Sequence, residues 1–195
     1  MKPLPVLLAL LLGMVAAREV WANATGAELV LLSMHVQTAR DANPKLYQRR
    51  LDEQGQYVVT PGVELYHDWE LAQPVWAARF VRLTGAEYED SVLHRAGYVA
   101  VTAVWTVHRA EPWEVLFMIG PGLIFRESWR NIPGYKPDNP LDESKDFLPG
   151  YEYKFLPLGS FDLLYRISPA WQAVWSIFPG IPYVITHNLG VRWTY

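Results

Sequence analysis

The chain has 195 residues, 17 Lys and Arg against 20 Asp and Glu, a net charge of −3 and no cysteine. The lack of cysteine excludes disulfides, thiolate metal sites and a cysteine nucleophile, and the slight negative charge without a basic, aromatic-rich tract does not favour nucleic-acid binding. Nine Trp, eleven Tyr and seven Phe are typical of a membrane barrel, which places aromatic side chains at both interfaces.

The N-terminus has the three zones of a secretory signal peptide. Lys2 precedes an apolar run over residues 4–15, which the small residues Ala16 and Ala17 follow. We predict a signal peptide over residues 1–22, cleaved after Ala17 or Ala22. No later stretch has the length of about 18 apolar residues that a spanning helix needs. Residues 23–195 are then a single exported domain.

Eight segments rich in Val, Leu, Tyr, Trp and Phe lie between turn signals and predict strands. The predicted strands span residues 28–38, 56–68, 75–85, 94–108, 113–125, 151–167, 171–179 and 183–195. The connections at 39–55 and 126–150 are long and polar, whereas those at 68–74, 109–112 and 168–170 are short. Long outer loops and short periplasmic turns are typical of transmembrane barrels.

The last predicted strand alternates strictly. One face, from Tyr183 to Tyr195, is almost entirely apolar or aromatic, and the chain ends on an aromatic residue as bacterial outer-membrane barrels do. We therefore predict an all-β fold, a single antiparallel transmembrane β-barrel of about eight strands that is integral to the outer membrane and monomeric. A soluble β-sandwich or a lipocalin-like barrel is the alternative.

Four prolines, Pro61, Pro121, Pro157 and Pro179, fall within or at the ends of predicted strands. A proline removes a ladder N–H, so strand ends and bulges are its ordinary places. The functional alternative is a gap in the barrel wall through which a lipid chain could enter from the side.

Three polar residues are candidates for chemistry. His35 ends the first strand, and Asp90 with Ser91 lies in the short connection between strands three and four, which opens on the same outer side. A histidine, a hydroxyl and a carboxylate near one barrel mouth could supply a general base and an activated oxygen. The alternative for Asp90 and Ser91 is ordinary turn chemistry.

Several short motifs, in order, resemble the outer-membrane lipid A palmitoyltransferase (PagP) family. Residues 125–133, Phe-Arg-Glu-Ser-Trp-Arg-Asn-Ile-Pro, resemble the loop that the family writes Arg-Asp-Asn-Trp-Asn-Tyr-Ile-Pro. Residues 155–160, Phe-Leu-Pro-Leu-Gly-Ser, resemble its Leu-Leu-Pro-Leu-Ala-Ser, and residues 178–180 resemble its Ile-Pro-Gly. Asp-Ser at 90–91 with Ala-Gly-Tyr at 96–98, and Met-His at 34–35, resemble further family motifs.

The resemblance implies an outer-membrane acyltransferase that moves a fatty acyl chain from a phospholipid donor to a lipid A acceptor without a cofactor or metal. His35, Asp90 and Ser91 would be its catalytic residues. The residues implied for substrate contact and lateral access are Pro61, Val99, Arg126, Trp129, Pro157 and Pro179. The barrel interior would be a hydrocarbon-lined slot for the acyl chain.

The chain also departs from this family. Only residues 23–27 precede the first predicted strand, which leaves no room for the family's N-terminal amphipathic helix. Val99 stands where the family has glycine, and if it faces the floor of the slot it would shorten the acyl chain that fits. A lipid A deacylase or phospholipase barrel, and a non-enzymatic small outer-membrane barrel, are the alternative functions.

Overall fold

The computed structural model describes residues 23–35, 48–53, 55–75, 78–133, 149–180 and 184–195. The predicted signal peptide lies outside these residues. Eight strands make up the fold: β1 Asn23–His35, β2 Tyr57–Val75, β3 Ala78–Glu89, β4 Arg95–Ala110, β5 Trp113–Glu127, β6 Tyr151–Arg166, β7 Trp171–Gly180 and β8 Val184–Thr194.

The strands form one closed antiparallel barrel in which each strand pairs with its neighbours in sequence. Closure is made by β1 and β8, whose pairing runs from Ala24 with Thr194 to His35 with Val184. Because the barrel closes, each strand has a partner strand on both sides over at least part of its length. No helix of the described residues is long and apolar enough to cross a membrane.

The outward face of the barrel is apolar. Exposed large apolar side chains of this belt include Leu29, Leu31, Val63, Val101, Ile119, Phe155, Phe161, Trp175, Leu189 and Val191. Aromatic residues border it. Ring contacts join Trp113 to Tyr165 and Trp171 to Trp193 at the end where Asn23 lies beside Tyr195, and Phe125 to Tyr153 at the other end. At about 3.3 Å per residue and about 40° of tilt, these girdles lie about 30 Å apart, which suits a bilayer.

The inward face has three layers, best followed on β3, β6 and β7. An apolar cluster near the periplasmic end contains Phe80, Val104, Leu116, Met118, Leu164 and Val174. A second apolar cluster in the outer half contains Ala86, Tyr98, Ala100, Ile124 and Leu158, with Phe178 packed against it. Between them lies a layer of charged and polar side chains, all buried. The predicted hydrocarbon-lined slot is therefore wrong at the middle of the barrel, where ion pairs fill the bore.

Two strand bounds differ from the prediction by five residues or more, the start of β1 and the end of β2. β1 starts at Asn23, five residues early, because Asn23 pairs with Trp69 on β2. β2 continues past Asp68 to Val75, where the sequence predicted a turn. Asp68 remains in the strand because its carboxylate accepts inward-facing hydrogen bonds from Arg82 and Arg192.

Candidate functional site

The centre of the barrel is organised around Arg82, a fully buried side chain of β3. Its Nε and Nη2 donate to the two carboxyl oxygens of Asp68 at 2.6 and 3.0 Å, and its Nη1 donates to Asp162 at 2.6 Å. The guanidinium carbon lies 3.7 Å from the centre of the Tyr66 ring. Paired on two sides and stacked on a third, Arg82 joins β2, β3 and β6 across the bore.

The charged layer extends beyond Arg82. Arg192 donates to Asp68 at 3.0 Å and to Gln172 at 2.7 Å, and Ser176 donates to Asp162 at 2.8 Å. Buried polar groups are stable only when they are paired. These contacts satisfy both aspartates and both arginines, so the layer is a structural plug.

Two glutamates in the same layer differ in their partners. Glu64 accepts hydrogen bonds from Tyr98 at 2.7 Å and from Asn188 at 2.6 Å. Glu28 pairs across the strands with Glu64, but within the described part of the chain neither of its buried carboxyl oxygens has a hydrogen-bond partner. A Cβ at Gly190 would lie 2.7 Å from Cγ of Glu28, so the glycine makes room for this side chain.

Asp90 and Ser91 lie at the outer rim, where they form a tight turn between β3 and β4. Oδ1 of Asp90 accepts from the backbone N–H groups of Val92 at 3.0 Å and His94 at 2.9 Å. Leu93 has a left-handed φ of 68° in the same turn. The carbonyl of Ser91 accepts from the backbone N–H of Gln48 at 3.0 Å. Asp90 therefore has the turn-stabilising contacts that short polar side chains often make.

The second carboxyl oxygen of Asp90 links the turn to the loop after β5. Trp129 Nε1 donates to Oδ2 of Asp90 at 2.6 Å. Burial raises the pKa of the Asp90 carboxyl above its usual range, although the hydrogen bonds from Trp129, His94 and Val92 favour the charged form and act against that rise.

Arg126 and Trp129, two of the predicted contact residues, meet at this rim. Arg126 donates to Glu152 at 2.7 Å, and its guanidinium carbon lies 4.4 Å from the centre of the Trp129 ring. Glu152 also accepts from Ser128 at 2.7 Å. Stacking and ion pairing thus fix the start of the β5–β6 loop to the wall of the barrel.

His35 ends β1 at the same outer end, where its backbone pairs with Val184. The side chain of His35 lies outside the described part of the chain. Of the predicted constellation, the structure places Asp90 and Ser91 side by side in one turn and brings Trp129 to them. The catalytic roles of His35, Asp90 and Ser91 stay a prediction.

Among the described residues, the backbone pairing of β6 with β7 stops at Phe161 and Ile177. Pro157 lies on β6 beyond that point and Pro179 on β7, and both are exposed. The outer part of β6, residues 151–160, and the end of β7, residues 178–180, lack this pairing in the described structure. The two prolines thus border a place where the wall separates in its outer half.

Pro61 and Pro121 lie elsewhere in the wall. Pro61 is exposed at a register shift between β1 and β2, next to Gly62, where the pairing of β2 with β3 ends. Pro121 lies opposite Pro157 across β5 and β6. The bulge at Pro61 is an ordinary place for a residue without an N–H. Pro121 lies where the pairing of β5 with β4 is interrupted, between Ile119 and Gly122.

Val99 does not face the interior, so the prediction that it shortens an internal slot is wrong. Along β4 it alternates with Tyr98 and Ala100, both of which are buried inside the barrel. Since successive side chains of a strand point to opposite faces, Val99 is on the lipid side.

The comparisons with known proteins agree with this architecture. The chain is similar to Neisserial surface protein A, with a TM-score of 0.52 and 9% identity over 89% of this chain and 97% of that one. The fold is that of a small outer-membrane barrel. The predicted eight-stranded barrel and its integral place in the outer membrane are therefore confirmed.

Two further structures are similar at lower scores. Ail, the attachment invasion locus protein of Yersinia pestis, has a TM-score of 0.46 and 16% identity over 89% of this chain and 99% of that one. The N-terminal β-barrel domain of Pseudomonas aeruginosa OprF has a TM-score of 0.46 and 10% identity over 90% and 100%. No protein-family model and no curated protein matches the chain.

The resemblance to the lipid A palmitoyltransferase family is wrong. Neisserial surface protein A, which the chain resembles with a TM-score of 0.52, is a barrel outside that family, and ion pairs lie in the bore where the acyl slot was expected. The short motifs are explained by turn and strand requirements: Asp90 caps a turn, and Pro157 lies where β6 loses a neighbour. The phospholipid donor and the lipid A acceptor were implied only by this resemblance, so neither is supported as a partner.

Proposed function

We propose that this chain is a non-enzymatic outer-membrane barrel that anchors a rigid outer rim at the cell surface, as an adhesive or envelope-stabilising element. The observation that carries the proposal is the plug: the fully buried Arg82 is bonded to Asp68 and Asp162 across the bore at mid-height. A barrel closed in this way supports neither a diffusion pore nor a long acyl slot, which leaves its outer surface as the part that acts.

The outer rim is built for rigidity. Asp90 is held by two backbone N–H groups and by Trp129, and Arg126 is bonded to Glu152. Rigid rims position the loops that carry function in such scaffolds. Arg49 with Glu89, at 2.5 Å, adds a further ion pair there.

Mass spectrometry of lipid A and phospholipids tests the absence of enzymatic activity. Cells with the protein, cells without it and cells with the combined His35→Ala, Asp90→Asn and Ser91→Ala variant are compared. The proposal predicts identical lipid profiles, together with greater sensitivity to detergent in cells that lack the protein. A heavier lipid A, or lipids that have lost acyl chains, only in the wild type would overturn it.

A second candidate function, a lipid-binding or lipid-hydrolysing barrel, is favoured by one observation. The wall separates between β6 and β7 beyond Phe161 and Ile177, next to the apolar cluster of the outer half. Tyr98 and Phe178 stack in that cluster with ring centres 4.7 Å apart. An acyl chain that enters through the separation would displace Phe178 from this stack.

Photo-crosslinking distinguishes this candidate. A phospholipid with a diazirine on its acyl chain is incorporated with the barrel into vesicles, and the labelled peptides are sequenced. Labels on the inward-facing Tyr98 and Leu158 support lipid entry. Labels confined to outward-facing residues such as Phe155 and Phe161 exclude it.

A further inference from the structure

The periplasmic mouth of the barrel holds a cavity of about 150 Å³ that no part of the proposed function uses. Four arginines, Arg79, Arg109, Arg166 and Arg192, line it together with only two carboxylates, those of Glu70 and Glu114. The arginines come from strand ends on β3, β4, β6 and β8, so that they surround the opening from several sides.

The carboxylates of the lining are shared. A single oxygen of Glu114 accepts from Arg109 at 2.6 Å, from Thr106 at 3.0 Å and from Arg79 at 3.4 Å. Arg79 also donates from Nε to Glu70 at 3.3 Å. Two arginines thus share one carboxylate oxygen, which leaves N–H groups of both guanidiniums without a hydrogen-bond partner among the described residues.

Arg166 and Arg192 complete the opposite side. Arg166 bonds through Nη1 to Glu111, an exposed residue of the turn after β4, and its side chain stays about two-fifths exposed. Arg192 is buried and oriented by Asp68 and Gln172. The cavity is therefore lined by one buried guanidinium, that of Arg192, and by three partly exposed ones.

The volume of this cavity and the guanidinium N–H donors that line it indicate which kind of ligand it can bind. A volume of about 150 Å³ is that of about five water molecules, which is enough for a carboxylate or a phosphate but not for a sugar chain. A guanidinium binds such oxyanions through parallel N–H donors, with charge-assisted bonds about twice as strong as neutral ones.

From this geometry we infer that the periplasmic mouth is a binding site for a small oxyanion, a phosphate monoester or a carboxylate. Arg109 and Arg166 are the contacting residues, and Arg192 is the fixed charge at the base of the site. The site would tether the barrel on its periplasmic side, a role independent of the outer rim.

Binding to the full barrel, folded in an uncharged maltoside detergent that carries no phosphate, tests the inference. The probes are glycerol phosphate, acetyl-Ala-Ala with a free carboxylate, and the same dipeptide as its amide. Affinities are measured by calorimetry and by the shifts of arginine side-chain NMR signals. Arg109→Gln and Arg166→Gln remove contacts at partly exposed positions, and Arg95→Gln is the matched change at the outer rim.

The inference predicts saturable binding of glycerol phosphate, of the free carboxylate, or of both, and whichever binds identifies the source. Affinity should fall about tenfold or more in Arg109→Gln and Arg166→Gln and stay within twofold in Arg95→Gln, with the amide not binding. Binding of neither anion, or equal weakening by Arg95→Gln, would overturn the site. Because these readouts do not involve the outer rim or lipid profiles, they fail independently of the proposed function.

Discussion

Arg82 on β3 and Asp162 on β6 lie 80 positions apart in the chain, yet Nη1 of the arginine is 2.6 Å from the aspartate Oδ2 inside the barrel. Their contact crosses the bore and exists only once the barrel has closed. It therefore links the stability of the fold directly to the state of its interior.

Asp162→Asn should destabilise the barrel strongly. Removing one partner of a buried ion pair leaves the other charge uncompensated and typically costs about 3–5 kcal/mol. The matched change is Glu28→Gln in the same layer. Glu28 has no hydrogen-bond partner among the described residues and lies beside Glu64, so replacing its carboxyl group by an amide should be neutral or stabilising.

Reversible urea unfolding in lipid vesicles, followed by tryptophan fluorescence, compares the two variants. The plug has no structural role if Asp162→Asn costs less than about 1 kcal/mol, the level of an exposed ion pair, or if Glu28→Gln is the more damaging change.

A pair of neighbours on β4 tests which side chains face the interior. Ala100→Leu should cost about 1–3 kcal/mol, because Ala100 is packed with Leu158 over Gly122 and has no room for added methylenes. Val99→Leu, on the lipid side, should change stability by less than about 0.5 kcal/mol. If Val99→Leu cost more stability than Ala100→Leu in the same unfolding assay, Val99 would face the interior and this assignment would be contradicted.

Trp129→Phe should raise the pKa of Asp90 further. The indole N–H favours the charged carboxylate, so its loss adds to the rise that burial already causes. Titration of the Asp90 side-chain carbon by ¹³C NMR measures the change, with Trp171→Phe at the periplasmic end as the control. An unchanged or lower pKa in Trp129→Phe would contradict the hydrogen bond.

Because the pKa of Asp90 is raised in the folded state, the free energy of unfolding should depend on pH. The folded state takes up a proton at Asp90 more readily than the unfolded chain does. The group thus stabilises the fold fully below its unfolded pKa, and this contribution is lost as the pH rises through the folded pKa. Asp90→Asn should flatten that part of the stability profile, and an unchanged slope would show that another group titrates there.

Much of the fold is present in local sequence. All eight strands were predicted, because alternation and turn residues are short-range signals. The bounds at Asn23 and Asp68 were missed because they depend on partners distant in the chain, namely Trp69 for the first and Arg82 for the second.

The sequence did not predict the charged layer in the interior of the barrel, where we expected a hydrocarbon-lined slot. Glu64, Asp68, Arg82 and Asp162 were not recognised, although ionisable residues at alternate positions within apolar strands are the mark of an inward face. Their pairing could not be predicted, since only barrel closure brings β2, β3 and β6 around one point. The strand order predicted that Asp90 lies at the end of the barrel where β3 meets β4. Its hydrogen bond from Trp129 was not predicted, because Trp129 lies in the loop after β5, whose conformation has no signal in the sequence.

Single-barrel conductance across a planar lipid bilayer tests the closed interior most directly. The wild-type barrel should give no stable conductance steps, because the charged layer around Arg82 and the two apolar clusters occupy its interior. Sustained open-channel current through the wild-type barrel would contradict the closed interior, and with it the argument that the outer rim carries the proposed function.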